Sequence, residues 1–177
     1  MNKRVVTIGG SNSKKSISKQ LAEYAGSLIH NVEIINIDLN DFSLPVFSVD
    51  IEEEDGIPKD ANKLNAIIES ADGFVIALAE HNGAYSVAFK NVLDWLSRIE
   101  GKVWRDKPML LLATSPGARG GQTVLDIALG RFPYMGGENV RSMSFPSFFD
   151  NFIEGEIVNE ALKLNLLKLV EDYQKEI

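Results

Sequence analysis

Residues 5–16 of the chain read VVTIGGSNSKKS, and this stretch decides the fold. Its first four residues are apolar or β-branched, which predicts a short buried strand. Gly9 and Gly10 end that strand, and a run of serine, asparagine and lysine follows. Apolar residues then recur at helical spacing between Ser16 and Leu28, which predicts a helix. A strand that turns through a glycine-rich loop into a helix is the opening half of a βαβ unit.

The same alternation of short apolar runs and helical patterns continues along the chain. Such alternation predicts a parallel sheet with helices on both faces. We therefore expect an α/β fold with a flavodoxin-like, doubly wound, five-stranded parallel sheet. Residues 38–58 have no clean period and carry an acidic run, which predicts a long surface loop. The other predicted strands cover residues 32–37, 74–79, 109–114 and 139–143, and the other predicted helices cover 61–71, 85–99, 122–129 and 158–173.

Length and composition predict one globular domain over residues 1–177. The chain has no cysteine, which excludes a thiol nucleophile, disulfides and a cysteine-ligated metal, and its two histidines, His30 and His81, leave little for a metal site, so none is predicted. A formal net charge of −7 argues against a nucleic-acid partner. No apolar run approaches the roughly 20 residues that span a bilayer. Because the N-terminus also lacks a signal-peptide pattern, we expect a cytoplasmic protein with no membrane partner.

The loop after the first strand, residues 9–16, is a candidate phosphate site. In doubly wound sheets a ligand binds beyond the carboxyl ends of the strands, where the strand order reverses. Backbone N–H groups and serine hydroxyls at a helix N-terminus bind phosphate, and lysine adds positive charge. The loop matches neither the Walker pattern nor G-x-G-x-x-G, and a capping serine followed by a flexible turn is the alternative. The predicted cofactor-binding residues here are Ser11, Ser13, Lys14, Ser16, Ile17 and Ser18.

The loop after the third strand, residues 79–86, is the second candidate. Asn82 offers both a donor and an acceptor, which suits the edge of a heterocycle, while His81 and Tyr85 offer flat faces for stacking. Capping of the next helix by Asn82 or Ser86 is the alternative. Because no serine or aspartate partner completes a triad with His81, no catalytic side chain is assigned.

The loop after the fourth strand, residues 114–121, contains three glycines within five residues. Glycine frees the backbone to approach a flat ligand closely, and backbone N–H groups then bond its carbonyl edge. Arg119 is predicted to hold a phosphate or to place a charge near it. The alternative is a loose loop before a helix, with Arg119 in solvent. The predicted cofactor-binding residues of this loop are Ser115, Pro116, Gly117, Ala118, Arg119 and Gly120.

These three loops resemble those of the NAD(P)H-dependent FMN reductase family, which includes flavin, quinone, azo-dye and chromate reductases. The family's phosphate loop reads Gly-Ser-x-Arg-x-x-Ser-x-Asn, and residues 10–18, GSNSKKSIS, match its glycine and both serines. Ser13 stands in place of the arginine and Ser18 in place of the asparagine. Arginine binds phosphate in a bidentate way, whereas lysine acts as a point charge. The resemblance therefore implies that Lys14 or Lys15 supplies the charge in this chain.

Two further motifs carry the resemblance. Residues 90–95 match the family's Lys-Asn-x-x-Asp-Trp in full, and residues 115–121 match Ser-x-Gly-x-x-Gly-Gly. Residues 79–82, AEHN, stand where the family has Pro-Glu-Tyr-Asn. The resemblance implies that the helix carrying residues 90–95 contributes to a dimer interface, although a plain core position is the alternative for Trp95. It also implies that the flavin lies against a set of second-loop residues, Glu80, His81, Asn82 and Gly83.

The resemblance implies FMN as cofactor and NADPH or NADH as co-substrate. Hydride would pass from NAD(P)H to FMN and then to a small-molecule electron acceptor, in a homodimer or homotetramer. A flavodoxin-like electron carrier, or a ligand-binding protein with little reductase activity, is the alternative function. A hydrolase is disfavoured because Gly-x-Ser-x-Gly is absent.

Overall fold

The computed structural model describes residues 3–177. No helix within this range is long and apolar enough to cross a membrane. The strands, numbered β1 to β8 in chain order, are Lys3–Gly10, Val32–Ile37, Gly73–His81, Ala84–Tyr85, Lys107–Thr114, Gly137–Phe145, Phe152–Ile153 and Glu156–Ile157. The helices, numbered α1 to α7, are Ile17–Ser27, Val49–Asp55, Lys59–Glu69, Val87–Ile99, Gln122–Arg131, Phe148–Asn151 and Glu160–Gln174.

The central sheet has the order β2-β1-β3-β5-β6, and these five strands are all parallel. This is a doubly wound order, because β2 is added on one side of β1 and then β3, β5 and β6 are added on the other. The predicted fold class is therefore confirmed. The strand count differs by one, because the short β4 pairs antiparallel with the end of β3 and makes the sheet six-stranded.

The sheet separates two apolar cores. In β3, alternate residues serve opposite faces because side chains of a strand alternate. Phe74, Ile76 and Leu78 pack with α3, α4 and α5, whereas Val75 and Ala77 pack with α1 and α7. A strand covered on both faces reads as a continuous apolar run, which is why β3 and β5 were recognisable from sequence.

The segment 38–58 is not the irregular loop that the sequence predicts. It contains a short 3-10 turn and α2, so the predicted loop is wrong there. Ser48 begins α2, since its side chain accepts the Asp50 N–H at 3.2 Å. Gly56, with φ 74°, ends it. The acidic run lies on this helix. The carboxylate of Glu52 accepts a hydrogen bond at 2.9 Å from Nε of Arg98 on α4.

The predicted helix 85–99 begins two residues late, at Val87, because Ser86 is its N-cap. The capping alternative given for Ser86 is thus confirmed, since its Oγ accepts the Phe89 N–H at 3.1 Å. Tyr85 belongs instead to β4, which β3 reaches through a two-residue turn. Asn-Gly between two strands is the usual sequence of such a turn, a signal that was present in the sequence.

Two side chains of the Lys-Asn-x-x-Asp-Trp motif form hydrogen bonds to the backbone of residues 45–47. Trp95 is fully buried, and its indole N–H donates to the Pro45 carbonyl at 2.7 Å. Asn91 accepts the Phe47 N–H at 2.8 Å and donates to the same carbonyl at 3.0 Å. Trp95 is therefore a core residue, as the alternative interpretation had it, and does not itself face a partner subunit.

Gly9 sets how closely α1 approaches β1. A Cβ at this position would lie 2.5 Å from Cα and 2.6 Å from N of Lys19, both backbone atoms of α1. We expect Gly9→Ala to lower the free energy of unfolding by about 1–3 kcal/mol, the usual cost of overpacking. Urea unfolding measures this change.

Gly130→Ala is the matched control, because a Cβ at this position in α5 meets nothing within 4 Å. Alanine is favoured over glycine inside a helix, so this variant should gain about 0.5–1 kcal/mol. Equal effects of the two substitutions would contradict the close approach inferred at Gly9.

Candidate active site at the carboxyl ends of β1, β3 and β5

Three loops meet at the carboxyl ends of β1, β3 and β5 and enclose a cavity of about 220 Å³, here called the loop cavity. Nine of the predicted site residues line it: Ser11, Ser13, Ser16, Ile17, Ser18, Glu80, His81, Ser115 and Pro116. The lining also includes three residues that were not among the predicted set: Lys15, Ala79 and Thr114. Seven predicted residues lie outside the lining: Lys14, Asn82, Gly83, Gly117, Ala118, Arg119 and Gly120.

The first loop ends in a helix N-terminus with free donors. Ser16 caps α1, and its Oγ accepts the Lys19 N–H at 3.0 Å, so the capping alternative is confirmed. The N–H of Ser16 itself bonds to the Ser13 carbonyl. Within residues 3–177 the N–H groups of Ile17 and Ser18 donate to no protein acceptor. Two backbone donors therefore remain for an anion at the positive end of the helix dipole.

The hydroxyl groups of this loop are organised by short-range hydrogen bonds. Ser11 Oγ accepts the Ser13 N–H at 3.1 Å, and Ser13 Oγ accepts the Lys15 N–H at 3.3 Å. Ser16 Oγ and Ser18 Oγ lie 3.0 Å apart and share one hydrogen bond. These contacts hold the loop in one turn before any ligand arrives, which lowers the entropy lost on binding.

The lysines near the loop differ in what they contact. Lys19 is paired with Asp38 at 2.5 Å and lies 3.8 Å from Glu23. The hydrogen bond from Lys19 lowers the pKa of Asp38 below its usual value and raises that of Lys19. Lys14 and Lys15 are both exposed and form no ion pair within the described chain, but Lys15 alone of the two lines the cavity.

The carboxylate of Glu80 accepts a hydrogen bond from within the protein. Its Oε2 accepts the Val124 N–H, in the first turn of α5, at 3.0 Å. That helix has no side-chain cap of its own, because its N-cap is Gly121 with φ 77°. Glu80 therefore supplies from β3 the cap that α5 lacks, and it fixes the second loop against the third.

His81, Asn82 and Gly83 form the exposed tip of the second loop. His81 ends β3 and lines the loop cavity. Asn82 and Gly83 have φ values of 52° and 73° and make the turn into β4. Their role as turn residues accounts for both identities, since asparagine and glycine tolerate positive φ.

The Tyr85 ring is half-buried and packs against the apolar core. It lies parallel to Phe132, with ring centroids 6.2 Å apart and planes 7° from parallel, and it also contacts Phe89. Burial raises the pKa of Tyr85 to about 12, so the phenol stays neutral at physiological pH. Tyr85 does not line the loop cavity, and the stacking role expected for it stays a prediction.

The third loop contributes Ser115 and Pro116 to the cavity. Arg119 points elsewhere, since it donates to Thr123 Oγ1 on α5 at 3.0 Å. Gly120 is buried with φ 58°, and a Cβ there would lie 2.7 Å from the Pro146 nitrogen. Gly120 is thus required by packing against the end of β6, whereas a Cβ on Gly117 would meet only Ser115 Oγ, at 3.9 Å.

A larger cavity of about 500 Å³, here called the outer cavity, adjoins the second loop. It lies between residues 39–46 and the start of α4, and His81 lines both cavities. Its lining is a mixture of apolar side chains with asparagine, serine and histidine, and among the described residues that form it there is no charged group. Such a surface suits a neutral, flat organic molecule.

A family model described as NADPH-dependent FMN reductase matches residues 3–150. The chain belongs to this family. It is 31% identical over 118 residues to the quinone reductase of Escherichia coli strain K12, a match covering 67% of this chain and 63% of that protein's length. It is 31% identical over 179 residues to the probable NADPH:quinone oxidoreductase 2 of Oryza sativa subsp. japonica, covering 94% of this chain and 86% of the relative.

Solved structures support the same fold. The flavoenzyme NAD(P)H:(acceptor) oxidoreductase FerB from Paracoccus denitrificans superposes with a TM-score of 0.76 at 23% identity, covering 99% of this chain and 97% of the other. The match to the family model confirms the resemblance found in the three sequence motifs, and that family is described as NADPH-dependent FMN reductases.

The loop cavity of this FMN reductase family member fits the group that the family binds. FMN carries a phosphate, and the first loop offers the free N–H groups of Ile17 and Ser18 together with Lys15. This donor set has the composition of an anion site at a helix N-terminus. Among the described residues of the lining, Glu80 is the one acidic side chain, and its Oε2 accepts the Val124 N–H of α5.

The capping role of Glu80 is open to a direct test. Glu80→Ala leaves the first turn of α5 uncapped, and we expect a loss of about 1–2 kcal/mol in the free energy of unfolding. Glu80→Gln keeps an acceptor oxygen and should lose less. Urea denaturation at a fixed pH measures both changes.

Glu69→Ala is the control for this pair. Glu69 is exposed at the end of α3 and accepts no hydrogen bond from the described residues, so its removal should change stability by under about 0.5 kcal/mol. The capping role fails if Glu80→Ala is as stable as this control.

Proposed function

We propose that the protein is an NAD(P)H-dependent reductase that binds FMN in the loop cavity and passes reducing equivalents to a second small molecule. The acceptor class is a quinone, an azo compound, a free flavin or a metal oxyanion. The observation that carries the proposal is the donor-rich N-terminus of α1, which opens into a cavity shared by the ends of β3 and β5. The names of the quinone reductase relatives favour a quinone among these acceptors.

The first loop would hold the phosphate of FMN. The N–H groups of Ile17 and Ser18 donate along the helix axis, and Lys15 adds a positive charge at the same end. Serine hydroxyls of the loop are already held in place by one another, so they keep a fixed geometry toward the phosphate. This arrangement binds and orients without contributing a reactive group.

The second and third loops would hold the ring end of the cofactor. Ala79, His81, Ser115 and Pro116 line that part of the cavity. When bound, FMN supplies the chemistry, since its ring accepts hydride and releases electrons to an acceptor. These residues would orient the ring, and no side chain is assigned as a general base.

The outer cavity would receive the second substrate. It lies next to the loop cavity with His81 as the common wall, so a molecule in it is adjacent to the ring end of the cofactor site. Its size of about 500 Å³ suits a ring system of the quinone or nicotinamide kind. The proposal includes a cytoplasmic location, where reduced nicotinamide nucleotides are available.

The spectrum of the flavin tests the proposal. The purified chain is incubated with FMN, the excess is removed, and visible absorption is recorded before and after anaerobic NADPH or NADH. We expect retained flavin bands that bleach on reduction and return when a quinone is added. Bands that are retained without bleaching would favour the electron carrier instead. Absence of both retained flavin and FMN-stimulated NAD(P)H oxidation would contradict the proposal.

We extend the proposal to a homodimer or homotetramer built on the face beside the outer cavity. Val46 and Val87 border that cavity and are 71% and 74% exposed, which is unusual for adjacent large apolar side chains.

Sedimentation should give a mass of at least twice 19.5 kDa. Val87→Glu should shift the protein toward the monomer, whereas Val158→Glu, at an exposed valine just before α7, should not. A wild-type monomer at micromolar concentration would contradict the assembly.

A further inference from the structure

Two adjacent lysines of the first loop have identical chemistry but different surroundings. Lys14 and Lys15 are both exposed, and neither forms an ion pair with any residue that the structure describes. The lining of the loop cavity includes Lys15 and excludes Lys14. The two lysines therefore differ in whether they contribute to the wall of the loop cavity.

The other nearby cations are already engaged. Lys19, on the first turn of α1, is paired with Asp38 at 2.5 Å. Arg119 bonds to Thr123 Oγ1 at 3.0 Å and does not line the cavity. Among the described residues that line the loop cavity, Lys15 is the single Lys or Arg. Within this lining, positive charge beyond the helix dipole comes from Lys15.

From this placement we infer that Lys15 strengthens the selectivity of the cofactor site for a phosphorylated flavin over an unphosphorylated one. The inference rests on the proposed function. The backbone donors of Ile17 and Ser18 at the helix N-terminus already favour an anion, and a lysine ammonium adds a full positive charge for a phosphate dianion. Lys15 thus increases the difference in affinity between FMN and riboflavin.

The same placement determines how the selectivity responds to salt. Lys15 is exposed, and its ammonium is a point charge on a flexible stem. An exposed charge pair is screened over about 8–10 Å at physiological ionic strength. FMN binding is therefore expected to weaken as salt rises, while riboflavin binding, which lacks the phosphate, stays nearly constant.

The experiment compares Lys15→Gln with Lys14→Gln in the full chain freed of bound flavin. Each protein is titrated with FMN and with riboflavin, by quenching of flavin fluorescence, at low and at physiological salt. We expect Lys15→Gln to weaken FMN binding by about tenfold, the size of a lost hydrogen bond between charged groups, and to flatten its salt dependence. Lys14→Gln should behave like the wild type, and riboflavin should bind all three proteins equally.

The outcomes separate this inference from the function on which it rests. Lys15→Arg should retain FMN affinity, which shows that charge at this position is what matters. If the wild type binds FMN and both glutamine variants match it, the selectivity role of Lys15 is overturned while the reductase proposal stands. If the wild type binds neither flavin, the proposed function and this inference both fail. Equal losses for FMN and riboflavin in Lys15→Gln would assign the residue a role in loop structure instead.

Discussion

The close backbone contact between β1 and α1 is the constraint on which the rest of the structure depends. Gly9 has no side chain, and any Cβ there would come within 2.6 Å of the backbone of Lys19. This contact fixes α1 against β1, so that the loop of residues 11–16 brings the N-terminus of α1 to the end of the strand. The N–H groups of Ile17 and Ser18, which lack partners because they lie in the first turn of a helix, are thereby placed at the site.

The other two loops are held by contacts between elements that are distant in sequence. Glu80 at the end of β3 caps α5 through Val124, 44 residues further on. Trp95 and Asn91 of α4 bind the backbone near Pro45 and so shape one wall of the outer cavity. These hydrogen bonds hold parts of both cavity walls without any ligand, which favours a preorganised site. The side chains that do this are polar, and their bonds are within the protein.

The first loop is positively charged, whereas the protein as a whole is negatively charged. The chain carries a net charge of −7, yet the first loop brings a helix N-terminus and Lys15 to the wall of one cavity. Attraction of an anion thus acts at short range, because the overall field of an acidic protein opposes it. This is consistent with a site that recognises one phosphate group and with an outer cavity whose lining is uncharged.

Local patterns in the sequence determined the order of strands and helices, the parallel sheet and the candidate phosphate loop, because apolar periodicity and glycine-serine composition act over a few residues. Helix α2 was missed, since it buries none of its residues and is held instead by the Ser48 cap and the contact of Glu52 with Arg98. The sequence did not distinguish Lys14 from Lys15, whereas in the structure Lys15 lines the loop cavity and Lys14 does not. The tertiary structure alone decided that Glu80 serves α5, because a hydrogen bond across 44 residues leaves no local pattern.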